Sequence, residues 1–140
     1  MTMPETAVQV RDLIVRFVSR ERTLFAVNGV SFDLSRGEVL GILGESGSGK
    51  SVTLKAMMRL LPSTAHIGGT IAINGNDVAT MSESGLERLR GRHVSMIFQE
   101  PMTAFDPIFT IGKQISETIV RHDGCSWREA SKRALEMLER

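Results

Sequence analysis

The sequence holds a single cysteine, Cys125, among 140 residues. One thiol cannot close an internal disulfide, and with three scattered histidines it cannot complete a zinc cage, so a reducing compartment is expected. Long apolar runs are also missing. None approaches the ~20 residues needed to cross a bilayer. The N-terminal text MTMPETAVQVRD carries acids where a secretory leader would be basic and then apolar, so a cytosolic chain is expected unless a partner holds it at a membrane. Charge of one sign is scarce as well. Seventeen Lys+Arg against sixteen Asp+Glu leave a formal charge of +1, which gives no bulk attraction for nucleic acid or an acidic membrane surface. Repeats and low-complexity stretches do not occur. What remains, 41% hydrophobic and 24% charged residues, is the make-up of an ordinary globular chain of about one domain.

Hydrophobic periodicity orders the chain. Val8 to Phe17 (VQVRDLIVRF) is β-branched and loosely alternating, and Val27 to Leu34 alternates more cleanly, with Val30, Phe32 and Leu34 on one face. After the turn residues Ser35 to Glu38, the short apolar run Val39-Leu40-Gly41-Ile42-Leu43 predicts a strand covered on both faces, as in a parallel sheet; a buried helix has the same signature. Lys50 to Leu61 predicts a helix with Leu54, Met57, Met58 and Leu61 as its apolar stripe, stopped by Pro62. Thr70–Ile73 and Val94–Phe98 read as further extended pieces, with a helix over 82–92 between them. Beyond Pro107, Ile111, Ile115 and Ile119 mark one face of a helix. Ser126 with Glu129 opens a second helix by a capping-box pattern, supported by the spaced pairs Glu129–Arg133 and Glu136–Arg140. The chain stops within that amphipathic helix, which reads as an architecture cut short.

One string carries chemistry by itself. Gly44-Glu45-Ser46-Gly47-Ser48-Gly49-Lys50-Ser51 matches G-x-x-x-x-G-K-[ST] without substitution. Glycines let the backbone turn tightly and bring N–H groups around an anion with no Cβ in the way, and the helix that follows adds its unpaired amides and dipole. The lysine then reaches the β- and γ-phosphates, and the serine hydroxyl serves a Mg²⁺ ion. The expected context, an apolar run before and a helix after, is present. The residues therefore point to a nucleoside triphosphate with magnesium and say nothing of its use.

The surroundings of the loop resemble a known family. Val27-Asn28-Gly29-Val30-Ser31-Phe32-Asp33-Leu34, Gly37-Glu38-Val39 and the loop GESGSGKS are similar to the nucleotide-binding subunit of ABC transporters. Gly69-Thr70-Ile71 with Asn74-Gly75-Asn76-Asp77-Val78 resembles that family's antiparallel hairpin. Met96 to Pro107 (MIFQEPMTAFDP) resembles its glutamine loop, in the branch that imports dipeptides, oligopeptides and nickel. The resemblance implies an α/β P-loop NTPase fold, a RecA-like core with an N-terminal antiparallel β subdomain, truncated within the helical subdomain. Residues 1–107 would form the nucleotide-binding part and 108–140 the start of the helical subdomain. It implies ATP and Mg²⁺ as cofactors. Gly44, Glu45, Ser46, Gly47, Ser48, Gly49, Lys50, Ser51 and Val52 would contact nucleotide, with Ser51 and Gln99 on the metal and Gln99 also on the attacking water. Phe17 would stack on adenine, with Phe25 as second choice. The implied partners are a second ATP-binding subunit and transmembrane permease subunits, with no nucleic acid, at the cytoplasmic face of the membrane. The stretch Phe105 to Ile111 would meet the permease.

Departures from that pattern matter equally. Glu100 follows an apolar run as a Walker B glutamate would, but Gln99 precedes it, no Asp does, and Pro101 starts another loop. The signature motif, Walker B and the switch histidine do not occur in the 140 residues; His66, His93 and His122 stand elsewhere, and His122 with Cys125 reads as surface. Hydrolysis in the family pairs one subunit's phosphate loop with the other's signature motif. The isolated chain is therefore expected to be poorly folded, to bind nucleotide weakly and to hydrolyse it barely. A non-catalytic remnant and a small P-loop kinase are the alternatives. The forty residues ahead of the loop and the lack of an arginine-rich lid weigh against the kinase.

Overall fold

Val8, Val10, Leu13 and Val15 are buried and mark the first strand, but their spacing runs two, three, two. The three-residue step is a β-bulge. In the computed structural model, which describes residues 5–139, β1 (Thr6–Val18) slips register between Val10 and Leu13 against its partner on one side, and between Arg11 and Ile14 on the other. Asp12 takes the extra place with φ 46°, and its amide donates to Ser31 Oγ at 2.8 Å. A bulge of this kind resets which residues face inward. The loose alternation of VQVRDLIVRF thus becomes two strict half-strands with one apolar face.

β1 lies between β2 (Thr23–Ser35) and β3 (Ala65–Ile73), with the short β4 (Asn76–Asp77) beyond β3, giving an antiparallel sheet in the order β2-β1-β3-β4. Cross-strand partners Val10–Phe32 and Val10–Ile71 fill its inner face. Helix α1 (Lys50–Met57) buries Thr53 and Ala56. Of the expected stripe of Leu54, Met57, Met58 and Leu61, Met58 is buried just past the helix end and Met57 and Leu61 are half-buried, while Leu54 departs from it and is exposed. Small side chains let a helix backbone approach its neighbour, and the closest approach decides which face is buried. The helix also ends four residues early. Arg59 enters the left-handed region at φ 47°, and the amides of Arg59 and Leu60 turn back onto the carbonyls of Ala56 and Lys55. Arg59 then donates to the Met81 carbonyl at 2.7 Å and pairs with Glu83 at 3.1 Å, anchoring α2 (Glu83–Leu89), the helix expected over 82–92.

The chain divides into two compact units, Met1–Glu87 and Arg88–Arg140. In the second, a 3₁₀ turn (Pro101–Ala104) precedes α3 (Ile111–Asp123) and α4 (Trp127–Leu138). Thr110 caps α3 by accepting from the Lys113 amide. Gly124, at φ 67°, ends it, and Ser126 caps α4 by accepting from the Glu129 amide, as its spacing predicts. Ile119, Ala130 and Ala134 form the core of this hairpin, with Ile115, Val120 and Cys125 packed against it. The expected Glu129–Arg133 pair is displaced. Arg133 turns to Asp123 at 2.7 Å, a partner across the helix turn that periodicity within one helix does not reveal. Lys132–Glu136 is the helix pair present, at 3.8 Å, and the expected Glu136–Arg140 pair lies outside the described residues.

Two expected strands are absent among the described residues. Val39–Leu43 takes no strand conformation and stands in solvent, with Val39 99% and Leu43 95% exposed. Val94–Phe98 forms only a single bridge, between Val94 and Arg90, and Ile97 is 92% exposed. The reason is common to both. A strand exists only where another strand supplies hydrogen bonds, and beyond the Val94–Arg90 bridge no described segment pairs with either run.

Candidate functional site

Gly49 decides the shape of the phosphate-loop region. It caps α1 in the left-handed region at φ 93°, and a Cβ there would stand 2.3 Å from the Ala26 carbonyl oxygen of β2. Only glycine brings the loop this close to the sheet. The helix that starts here has no side-chain cap and no acid in its first turn. Its ladder begins with the Thr53 amide donating to Gly49 O at 2.8 Å, which leaves the amides of Lys50, Ser51 and Val52 at the helix head. Thr53 is 4% exposed, and its hydroxyl donates to the same carbonyl at 3.1 Å, so the helix start is held twice.

Lys50 folds back over the loop. Its Nζ donates to the carbonyls of Gly44 at 2.7 Å and Glu45 at 2.6 Å, and to Ser48 Oγ at 3.2 Å. The Ser48 amide closes the turn onto Glu45 O at 3.2 Å. A Cβ on Gly44 would meet Ser48 Oγ at 2.6 Å and would turn that hydroxyl away from the Lys50 ammonium. Gly44 through Val52 are therefore one assembly, with an ammonium group, a row of helix-head amides and the Ser51 hydroxyl in an exposed position. That donor set suits a polyanion, since the ammonium, the helix-head amides and the Ser51 hydroxyl are all positive or hydrogen-bond donors.

Beside the loop lies an open cavity of about 730 Å³. Gly47, Ser48, Lys50 and Thr53 form its polar wall, and Phe25, Phe32, Leu40 and Ile42 its apolar one. Phe17 is not among its lining residues. It sits half-buried in β1, opposite Leu24 on one side and Ala65 on the other. Thr53 and Phe32 were not singled out from the sequence. Thr53 lies four residues after Gly49 at a hydroxyl-to-carbonyl spacing, a signal that was available, whereas the place of Phe32 depended on strand pairing. Gln99 belongs to the second unit, where it is exposed just ahead of the 3₁₀ turn. The neighbouring Glu100 contributes its carbonyl to that turn, accepting from the Thr103 amide at 3.1 Å and hydroxyl at 2.7 Å. His122 lies over Gly91, where a Cβ would fall 2.6 Å from its Nε2.

Known proteins share this arrangement. The chain is 43% identical over 133 residues to the oligopeptide transport ATP-binding protein OppD of Bacillus subtilis, covering 94% of this chain and 37% of that protein. It is 45% identical over 139 residues to the peptidoglycan transport ATP-binding protein YejF of Agrobacterium fabrum, covering 98% of this chain and 26% of that one. The chain thus spans between about a quarter and two-fifths of the length of these relatives. Among solved structures, the dimeric ATP-binding cassette MJ0796 in a post-hydrolysis state with ADP and Pi superposes with a TM-score of 0.75 at 24% identity, over 94% of this chain and 56% of that chain. The fold is therefore α/β, that of a P-loop ATPase cassette with its antiparallel β sheet. The profile described as ABC transporter matches residues 27–140, and the chain belongs to the ABC transporter family.

Proposed function

We propose that the chain supplies the ATP-binding half-site of an importer's motor subunit. The observation that carries this reading is the Lys50 ammonium seated over the 44–51 loop, with the uncapped head of α1 beside it. When a triphosphate binds, the ammonium would exchange two carbonyls and a hydroxyl for phosphate oxygens, a stronger set because acceptor as well as donor is then charged. Gly44 through Val52 would hold the phosphates, and Ser51 would hold magnesium, which would supply positive charge against the phosphates. The base would lie on the apolar wall against Phe25, because Phe25 lines the same cavity as Lys50 and Phe17 does not.

Residues 1–107 then act as the nucleotide-binding part and 108–140 as the start of the helical subdomain. The charge stabilisation in this loop is half of what hydrolysis asks for; a positioned water is the other half, and Gln99 is its candidate holder. The rest of the site would come from a second ATP-binding subunit. Permease subunits would meet the segment Phe105 to Ile111 and carry the cargo, peptides or nickel, across. No described helix is long and apolar enough to cross a membrane, so attachment at the cytoplasmic face would be peripheral, through those subunits. The names of the relatives, one for oligopeptides and one for peptidoglycan, support peptide-like cargo.

Lys50→Ala in the full-length protein tests the reading. Removing charge-assisted bonds to phosphate should weaken ATP binding by about 100-fold in a titration with labelled nucleotide. Unchanged affinity in a folded variant would sink the assignment.

A further inference from the structure

The loop between the 3₁₀ turn and α3 combines two properties that seldom meet. It exposes large apolar side chains, with Ile108 83% and Phe109 46% accessible, yet its backbone is tied at Asp106, Ile108 and Phe109. The ties converge on one side chain, Gln114, in the first turns of α3. The Asp106 amide donates to Gln114 Oε1 at 3.0 Å, and Gln114 Nε2 donates to the carbonyls of Asp106 and Phe109, both at 2.9 Å. Asp106 completes the turn internally. Its Oδ1 accepts from the Ile108 amide at 2.9 Å, and its carbonyl accepts from the Phe109 amide at 3.3 Å. The Lys113 ammonium stands 4.0 Å from the centre of the Phe109 ring and fixes its orientation.

An exposed loop normally keeps its freedom, and a partner that binds it must bear the ordering cost. Here that ordering is already done by a residue that does not itself belong to the exposed apolar set. We propose that Gln114 is a positioning residue for subunit coupling. Its amide pre-forms 106–109 as a rigid apolar knuckle, and that rigidity lets movement of a partner chain seated on Ile108 and Phe109 reach α3 instead of being absorbed by the loop. The inference rests on the reading above that this stretch meets the permease.

The amide is needed on both sides. A carboxylate of equal size keeps the acceptor for the Asp106 amide but loses both donors and sets negative charge against two carbonyls. Gln114→Glu therefore separates shape from hydrogen bonding, and Gln114→Ala removes both. In the full-length protein assembled with its permease, we expect both variants to bind ATP with wild-type affinity. Amide exchange at Asp106, whose N–H donates to Gln114, should accelerate up to ~10-fold in Gln114→Ala, the value of one net hydrogen bond. Exchange at Phe109, whose amide donates to the Asp106 carbonyl that Gln114 tethers, should accelerate in both variants. Permease-stimulated ATP hydrolysis should fall in both by a similar factor, with basal hydrolysis unchanged. Wild-type exchange in Gln114→Ala, or full stimulation despite accelerated exchange, would overturn the proposal. If the wild-type protein binds ATP but the permease does not stimulate it, the functional reading fails. The coupling role fails with it, and the exchange data then report on the clamp alone.

Discussion

Two apolar segments of similar composition have opposite fates. β1 presents Val8, Val10, Leu13 and Val15 to a covered face, whereas Val39-Leu40-Gly41-Ile42-Leu43, equally β-branched and more continuously apolar, carries its end residues almost fully in solvent. The difference is not propensity. β1 has a strand on each side to satisfy its amides and a helix to cover its face; 39–43 has neither among the described residues. Apolar character makes burial favourable, but partners decide whether it occurs. The largest expected effect tests this contrast directly. Leu13→Ala should cost about 2–5 kcal/mol in urea unfolding, because Leu13 is fully enclosed. Leu43→Ala should stay within about 0.5 kcal/mol in the same 140-residue chain. Equal losses would show that 39–43 is packed after all.

The phosphate loop sits at the junction between these regimes. It follows the exposed run directly, yet at Gly49 it passes close against Ala26 of the well-formed sheet. Gly49→Ala sharpens the comparison by forbidding that close approach. The left-handed backbone alone should cost about 1–2 kcal/mol, and the 2.3 Å approach to the Ala26 carbonyl forces the loop away in addition. The expected result is a lowered melting temperature together with weakened ATP binding. Loss of binding with an unchanged melt would mean that the loop is shaped by its own turns and not by the sheet.

How much was legible in the sequence divides along the same line. The loop, the helix after it, the strands around Val10 and Phe32, and the Ser126 cap were readable because each is specified by neighbours within a few residues. The bulge at Asp12 was hidden, since a three-residue step in a strand looks like imperfect alternation until the partner strand fixes the register. The packed face of α1 was read in part: Met58 is buried as expected, but Leu54 outranks Thr53 in hydrophobicity, while close approach to the sheet favours the smaller side chain. Val39–Leu43 and Val94–Phe98 were read as strands from apolar content, and pairing is a property of two segments. At the site, Phe25 and Phe17 are the same residue type on neighbouring strands, β2 and β1, and it is the cavity that separates them.

The smallest expected effect lies at the rim of the sheet, where Arg11 and Asp33 join β1 to β2 at 2.6 Å. The hydrogen bond from Arg11 holds the Asp33 carboxyl below its ordinary value of 3.8, against an opposing desolvation, and the guanidinium of Arg11 is raised in return. A carboxyl whose folded value is depressed stabilises the fold above its ordinary value, and that contribution fades as pH falls through the folded one. Asp33→Asn should therefore lower the melting temperature slightly at pH 7 and by less at acid pH, as the wild-type carboxyl takes up its proton. Both side chains are close to half exposed, so solvent and salt screen most of the attraction. The same loss at both pH values would assign the effect to strand packing at position 33, and the charge at this edge would then contribute nothing to holding β2 against β1.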